Sequence, residues 1–330
     1  MMVMRATASV AVLLAALASA LPRAAGELVL IRSIALPQVE GRIDHLAFDG
    51  AHQRLYVAAL GNNTVEVIDV AAGTHLKSLA GFHEPQGIAV AADFDVVAVA
   101  NGEGDGIQLV KGSDFSPGAS VRLGDDSDNV RYDAPAKRLY VGFGDGALAA
   151  VDAGSGKVLG EAKLAAHPES FQLERSGARI FVNVPNATHI AVIDRKTMTV
   201  TTTWPVSTDA ANFPMALDEA NHRLFVGCRH PAKVLVFDTA TGKEVGSADT
   251  VGDSDDLFYD ASTKRLLVSG GEGYLDVLQD QGDDHFARVA HTPTASGART
   301  CLYIADQRRL YLAVPHRGRQ QAEIRIYDVR

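Results

Sequence analysis

Acids, histidines and arginines in this chain fall at positions that recur about every 42 residues. One set contains Asp44, Asp128, Glu169 and Asp255, with His45 following the first and His167 just ahead of the third. Gln86, Phe213 and Arg299 complete it at the same interval. Several carboxylates converging on one point suit a hard cation such as Ca²⁺ or Mg²⁺. Added imidazoles shift the preference toward Zn²⁺. Asp44, Asp128, Glu169, Asn212 and Asp255 are therefore the candidate metal ligands. His45, His83 and His167 are the candidate proton carriers, because a histidine near an acid can act as a general base. Such pairs occur in His83-Glu84 and in His167-Pro168-Glu169. Arg229-His230, Arg299 and His316, with Glu84 beside them, form a second group able to receive a charged small ligand. Against all of this stands a plainer reading. Asp, Asn and His also begin strands and stabilise tight turns through their own backbone.

The elements that must hold these residues follow from a repeat. Arg54-Leu55-Tyr56-Val57-Ala58 returns as Arg138-Leu139-Tyr140-Val141-Gly142 and as Arg179-Ile180-Phe181-Val182-Asn183. Further copies start at Arg223, Arg265 and Arg309, so the arginines step by 84, 41, 44, 42 and 44 residues. The double step hides a degenerate copy at Asp95-Val96-Val97-Ala98-Val99, which makes seven. Each copy lies between an upstream run ending in a turn acid, such as Leu46-Ala47-Phe48-Asp49, and a downstream β-branched run, such as Val65-Glu66-Val67-Ile68-Asp69. A glycine turn and a weaker fourth run follow. Short β-branched and aromatic runs punctuated by Gly, Asp and Asn read as strands and turns. Four strands per repeat and seven repeats predict an all-β, seven-bladed β-propeller with four-stranded blades.

Ring closure is also legible. The last repeat ends at Asp328 after three strands, and Leu28 to Leu36 is a strand with no repeat of its own. It is expected to supply the missing outer strand of the last blade and so remove an open edge. The aligned ring of Asp44, Gln86, Asp128, Glu169, Phe213, Asp255 and Arg299 then falls at the entry to each innermost strand, at the channel mouth. A second ring, seven residues past each repeat arginine, holds Gly61, Gly102, Asp145, Asn186, His230, Glu272 and His316.

These phrases make the chain resemble the YVTN-type (YncE-like) family of secreted seven-bladed propellers, over roughly residues 27–330. The phrases that carry the likeness are the Arg-Leu-Tyr-Val-Ala and Val-Ile-Asp runs with Thr-Gly-Lys turns. The resemblance implies a binding module for a small molecule, a metal ion or a protein at the channel face. Propellers that look related include metal-dependent lactonases, a lyase with a His-centred site, and the heavy subunit of amine dehydrogenases, an electron-transfer partner. Those activities remain open as alternatives.

Residues 1–20 have a signal-peptide layout: Arg5, an apolar run from Ala8 to Leu17, then Ala18-Ser19-Ala20. The expectation is a periplasmic or secreted chain with no membrane span after cleavage. A net charge of −9 with scattered basic residues argues against nucleic acid as partner. Cys228 and Cys301 fall in non-adjacent repeats, so they read as free buried thiols, with a bridge as the lesser alternative.

Overall fold

The computed structural model describes residues 26–104, 106–206 and 210–330. The candidate signal segment lies outside them. The described strands form seven four-stranded antiparallel sheets. Blades one to six span residues 46–80, 85–121, 130–163, 171–205, 210–249 and 254–293. The seventh combines three strands within 301–329 with the strand Leu28–Ala35. That first strand pairs antiparallel with Glu323–Val329, from Leu28 opposite Val329 to Ala35 opposite Glu323. The ring therefore closes through backbone hydrogen bonds between its two ends. No helix among the described residues is long and apolar enough to cross a membrane.

The core is divided into seven layers, each between neighbouring blades. This explains the continuous apolar runs. Tyr56, Tyr140 and Phe181 are fully buried because their strands pack on both faces. In the layer across the closure, Ile34 and Leu36 pack with Ile324 and Ile326 from the last blade and Leu55 from the first. The two cysteines form no disulfide with each other and are buried in separate layers.

The repeated Arg and Asp are strand-pairing chemistry. Arg54 lies opposite Asp69, Arg223 opposite Asp238 and Arg309 opposite Asp328. Arg223 makes a 2.8 Å ion pair with Asp238. The acid also shapes the next turn, as where Asp238 accepts the Thr241 backbone N–H at 2.8 Å. Gln279 replaces the acid in blade six and still accepts from Arg265, at 2.8 Å. Blade two has lost both partners, since Val96 faces Lys111. Asp95 is the left-handed residue before that strand, with φ 55°. Left-handed Gln53, Lys137 and His222 hold the corresponding place in other blades. The repeat arginine is thus replaced by Val96, not by Asp95, and counting seven onward moves the second ring's member from Gly102 to Glu103.

Candidate functional site

All seven members of the aligned ring line one cavity of ≈ 240 Å³ at the channel mouth. A shared backbone bond puts several of them there. The N–H of Asp44 donates to Ala58 at 2.7 Å, that of Asp128 to Gly142 at 3.0 Å and that of Glu169 to Asn183 at 3.0 Å. Each acid is thereby fixed to the second strand of its own blade just before the innermost strand begins. Gly87 lets blades two and three close on each other: its N–H donates to the Asp128 carbonyl at 3.1 Å, and a Cβ there would stand 2.1 Å from that oxygen.

Arg42, His45, Asp126, His167 and Arg229 line the same cavity. Arg42, Asp126 and His167 each lie two residues ahead of a ring member. Alternate residues of an extended chain share a face. One step of the β period upstream would therefore have found Arg42 and Asp126, as well as Asp253, which bonds Arg299 at 2.9 Å.

Arginines neutralise part of the acidity. Arg42 bonds Asp44 at 2.8 Å, and Arg229 bonds Asp255 at 2.6 Å. The Arg229 guanidinium also covers the Phe213 ring, 3.8 Å from its centroid. Protons neutralise much of the rest. Burial, reinforced by Asp128 and Asp255, pushes Glu169 up to about 9. Burial pushes Asp255 up to about 7 against the pull of Arg229, and it raises Asp44 as well. Asp128 moves the other way. Burial would raise it, but His167 and His45 outweigh burial and hold it below the usual range.

His45 forms the floor of the mouth. Its Nδ1 lies 3.4 Å from Asp256 and its Nε2 lies 3.6 Å from Asp44. Burial works against its positive charge, but Asp256, Asp44 and Asp128 together raise it to about 10. A histidine held protonated in this way is an acid near neutral pH, not a base.

Asp128, His167 and Glu169 bring one donor atom each within 4.8 Å of the others. His167 is oriented by its second nitrogen. Its Nδ1 lies 2.7 Å from the Gly144 carbonyl and 3.3 Å from Asp126. A carbonyl only accepts, so Nδ1 carries the proton and Nε2 is left facing Asp128 at 3.8 Å. That spacing is long for a hydrogen bond and close to the ~3.3 Å between neighbouring ligands of a tetrahedral zinc. Backbone anchoring of the far nitrogen is the usual support of a metal-bound histidine.

Other candidates fall elsewhere. Asn212 is buried between blades four and five, where its amide donates to Asn183 at 3.0 Å, and it does not line the mouth. His83 is exposed, and its backbone N–H donates to Asn101. Glu84 sits in a left-handed loop with φ 49°, its N–H bonded to Asn63. His230 is exposed at the end of its strand. His316 pairs with Glu40 at 2.6 Å. These last two do not join Arg229 and Arg299 in a basic rim. Both arginines face the cavity and are bound to acids.

No family model matches the chain, and no curated protein matches it by sequence. Similar solved structures include a chain of the "Crystal Structure of Mitotic Checkpoint Complex". The TM-score is 0.78 at 14% identity, covering 98% of this chain and 99% of that one. A chain of "Kuenenia stuttgartiensis Hydrazine Synthase" gives a TM-score of 0.74 at 15% identity, covering 84% and 94%. The neighbours are seven-bladed propellers, and at these identities the likeness is one of fold. The narrower YVTN-type resemblance rests on the repeat phrases alone.

Proposed function

We propose that this chain is an exported binding propeller that holds a divalent transition-metal ion at its channel mouth, on Asp128, His167 and Glu169. The carrying observation is the convergence of those three donors, with His167 Nε2 turned toward Asp128 by the Gly144 contact at Nδ1. The sequence favoured Ca²⁺ or Mg²⁺ over Zn²⁺. The donor set argues for the reverse order, because an imidazole with two carboxylates suits Zn²⁺, while Ca²⁺ seeks six or more oxygens. Asp44 and Asp255 are engaged by arginines and serve as surrounding charge. Three protein donors leave a coordination position for a ligand entering from the open face. Phe213 and Arg229 would flank that ligand. The fold likeness to a chain from a checkpoint complex is compatible with binding as the broad role.

The test is isothermal titration of the purified, metal-stripped protein with Zn²⁺ and with Ca²⁺. One equivalent of Zn²⁺ should bind, more tightly than Ca²⁺. His167→Ala and Asp128→Asn should each weaken zinc by about tenfold or more, the scale on which even the groups supporting metal ligands matter. Zinc binding that survives both substitutions, or no zinc binding at all, removes the proposal.

A further inference from the structure

Below the mouth, we propose that the axial lumen binds an amphipathic carboxylate, its head on the Arg131 guanidinium and its apolar body along the innermost strands. This site is separate from the metal site above it. The two cavities share His45, and the lumen beneath has a volume of ≈ 460 Å³, within the range of cavities that take small organic ligands. Phe48, Val90, Leu217, Phe258 and Leu302 add apolar side chains from five of the seven blades to a lining that is otherwise polar.

Arg131 differs from these side chains. It stands one residue into the innermost strand of blade three, Val130–Asp133. The same place in the other blades holds Ala47, Ala89, Gln172, Ala216, Phe258 and Leu302. Nothing in the fold requires a charge there, and little satisfies this one. The guanidinium offers five N–H donors. Its contacts are the Val130 carbonyl at 3.3 Å, the Ser170 hydroxyl at 3.5 Å and the Phe171 ring at 5.7 Å. Among the described residues no carboxylate makes an ion pair with it. By contrast, Arg223 and Arg229 each hold an acid within 2.6 Å. Arg131 lines the lumen, and burial lowers its pKa, with Asp256 and Asp128 acting only from a distance.

His45 and Asp256 offset each other at the top of the lumen, and Arg175 stands exposed at its lower end. Of the turn acids near that end, Asp133 pairs with Arg195 at 3.1 Å, and Asp260, still anionic, accepts from the Tyr303 hydroxyl at 3.0 Å; neither pairs with Arg131. An inorganic anion would satisfy Arg131 and leave the walls wet. An uncharged hydrocarbon would fill the walls and leave the cation unpaired. A carboxylate on an apolar body does both.

Decanoate is the probe, with decan-1-ol and propionate as the two halves of its chemistry, followed by calorimetry and by thermal melting. Decanoate should bind, and each half should bind at least about tenfold more weakly, as expected when a charge-assisted hydrogen bond or the apolar burial is removed. Arg131→Met should lower decanoate affinity about tenfold or more while the unliganded variant melts at or above the wild-type temperature. Leu302→Trp, which fills the lumen from the opposite blade, should abolish binding. His167→Ala should leave it intact, so the lumen reading stands or falls apart from the metal. Decanol binding as well as decanoate, unchanged affinity in Arg131→Met, or no decanoate binding at millimolar concentration overturns the proposal. So does an unliganded Arg131→Met that melts well below wild type, since the guanidinium would then be structural.

Discussion

Zinc binding at the mouth should expel about two protons near pH 7. Glu169 keeps its proton up to about 9 because burial, with Asp128 and Asp255, penalises the anion. His167 is likewise held to about 9. Burial opposes its charge, but Asp128, the Gly144 carbonyl and Asp126 outweigh burial. A ligand must be deprotonated to bind a metal. About two units below its pKa, each group is ionised or neutral in the required sense only ~1% of the time, which costs about 3 kcal/mol per group. The pair therefore lowers zinc affinity by about four orders of magnitude at pH 7. The sign is fixed: affinity rises with pH, by about a hundredfold per unit, and levels off near the two pKa values. Calorimetry in buffers of different ionisation enthalpy counts the protons directly. Glu169→Gln should release about one proton instead of two. Tight zinc binding with no proton release, or with an affinity independent of pH, would place the ion on groups that already lack protons and refute the Asp128–His167–Glu169 assignment.

His45 makes alkaline pH destabilising. Its pKa is raised to about 10 in the fold, because Asp256, Asp44 and Asp128 outweigh burial. Its stabilisation is therefore complete below its ordinary value of about 6.5 and lost as pH climbs to about 10. His45→Gln should cost roughly 3–5 kcal/mol in denaturant melts near pH 6, the scale of a broken buried pair, and much less near pH 10. An equal cost at both ends would contradict the charge argument. At the closure, Ile34→Ala should cost about 2–5 kcal/mol, because Ile34 is buried against Ile324 and Leu36. Removing residues 26–36 should expose the edge of Glu323–Val329 and yield aggregates by size-exclusion chromatography. A truncated monomer with the wild-type melting temperature would show that the first strand is dispensable.

The fold was readable because its determinants are local and repeated. A repeat arginine opposite a repeat acid, with a turn after the acid, states the pairing of two strands in sequence alone. The misplacement in blade two follows from the same logic. With Val96 and Lys111 substituting for both partners, only the left-handed Asp95 marks the strand start, and a backbone angle leaves no clear trace in sequence. The mouth was readable in part. Residues entering the innermost strands are fixed by the same backbone bond in several blades, so alignment places Asp44, Asp128 and Glu169 together. His83, His230 and His316 were not placeable. His83 and His316 lie in connections whose lengths differ between blades, and His230 ends a strand that outruns its counterparts, so no period dictates which way these side chains point. Asn212 shows a further limit, because one residue along a strand separates the mouth from the blade interface.

A propeller sets a rule for where chemistry can be carried. Whatever recurs in most of the blades serves strand pairing, turns or interblade packing, and Arg54, Asp69 and Tyr56 are of this kind. A charge repeated seven times around a narrow channel would repel itself, so channel-facing function has to rest on positions where the blades disagree. The channel of this chain has two such places. At the mouth the ring holds four acids, an amide, an aromatic and an arginine. One step below, six small, apolar or uncharged residues face a single arginine. His45 and Asp256 stand between them as a mutually satisfied pair. With that pair between them, Asp256 and the mouth acid Asp128 act on Arg131 only from a distance and form no ion pair with it. The acidic mouth is then free to hold a cation while the lumen keeps an unpaired positive charge for an anion.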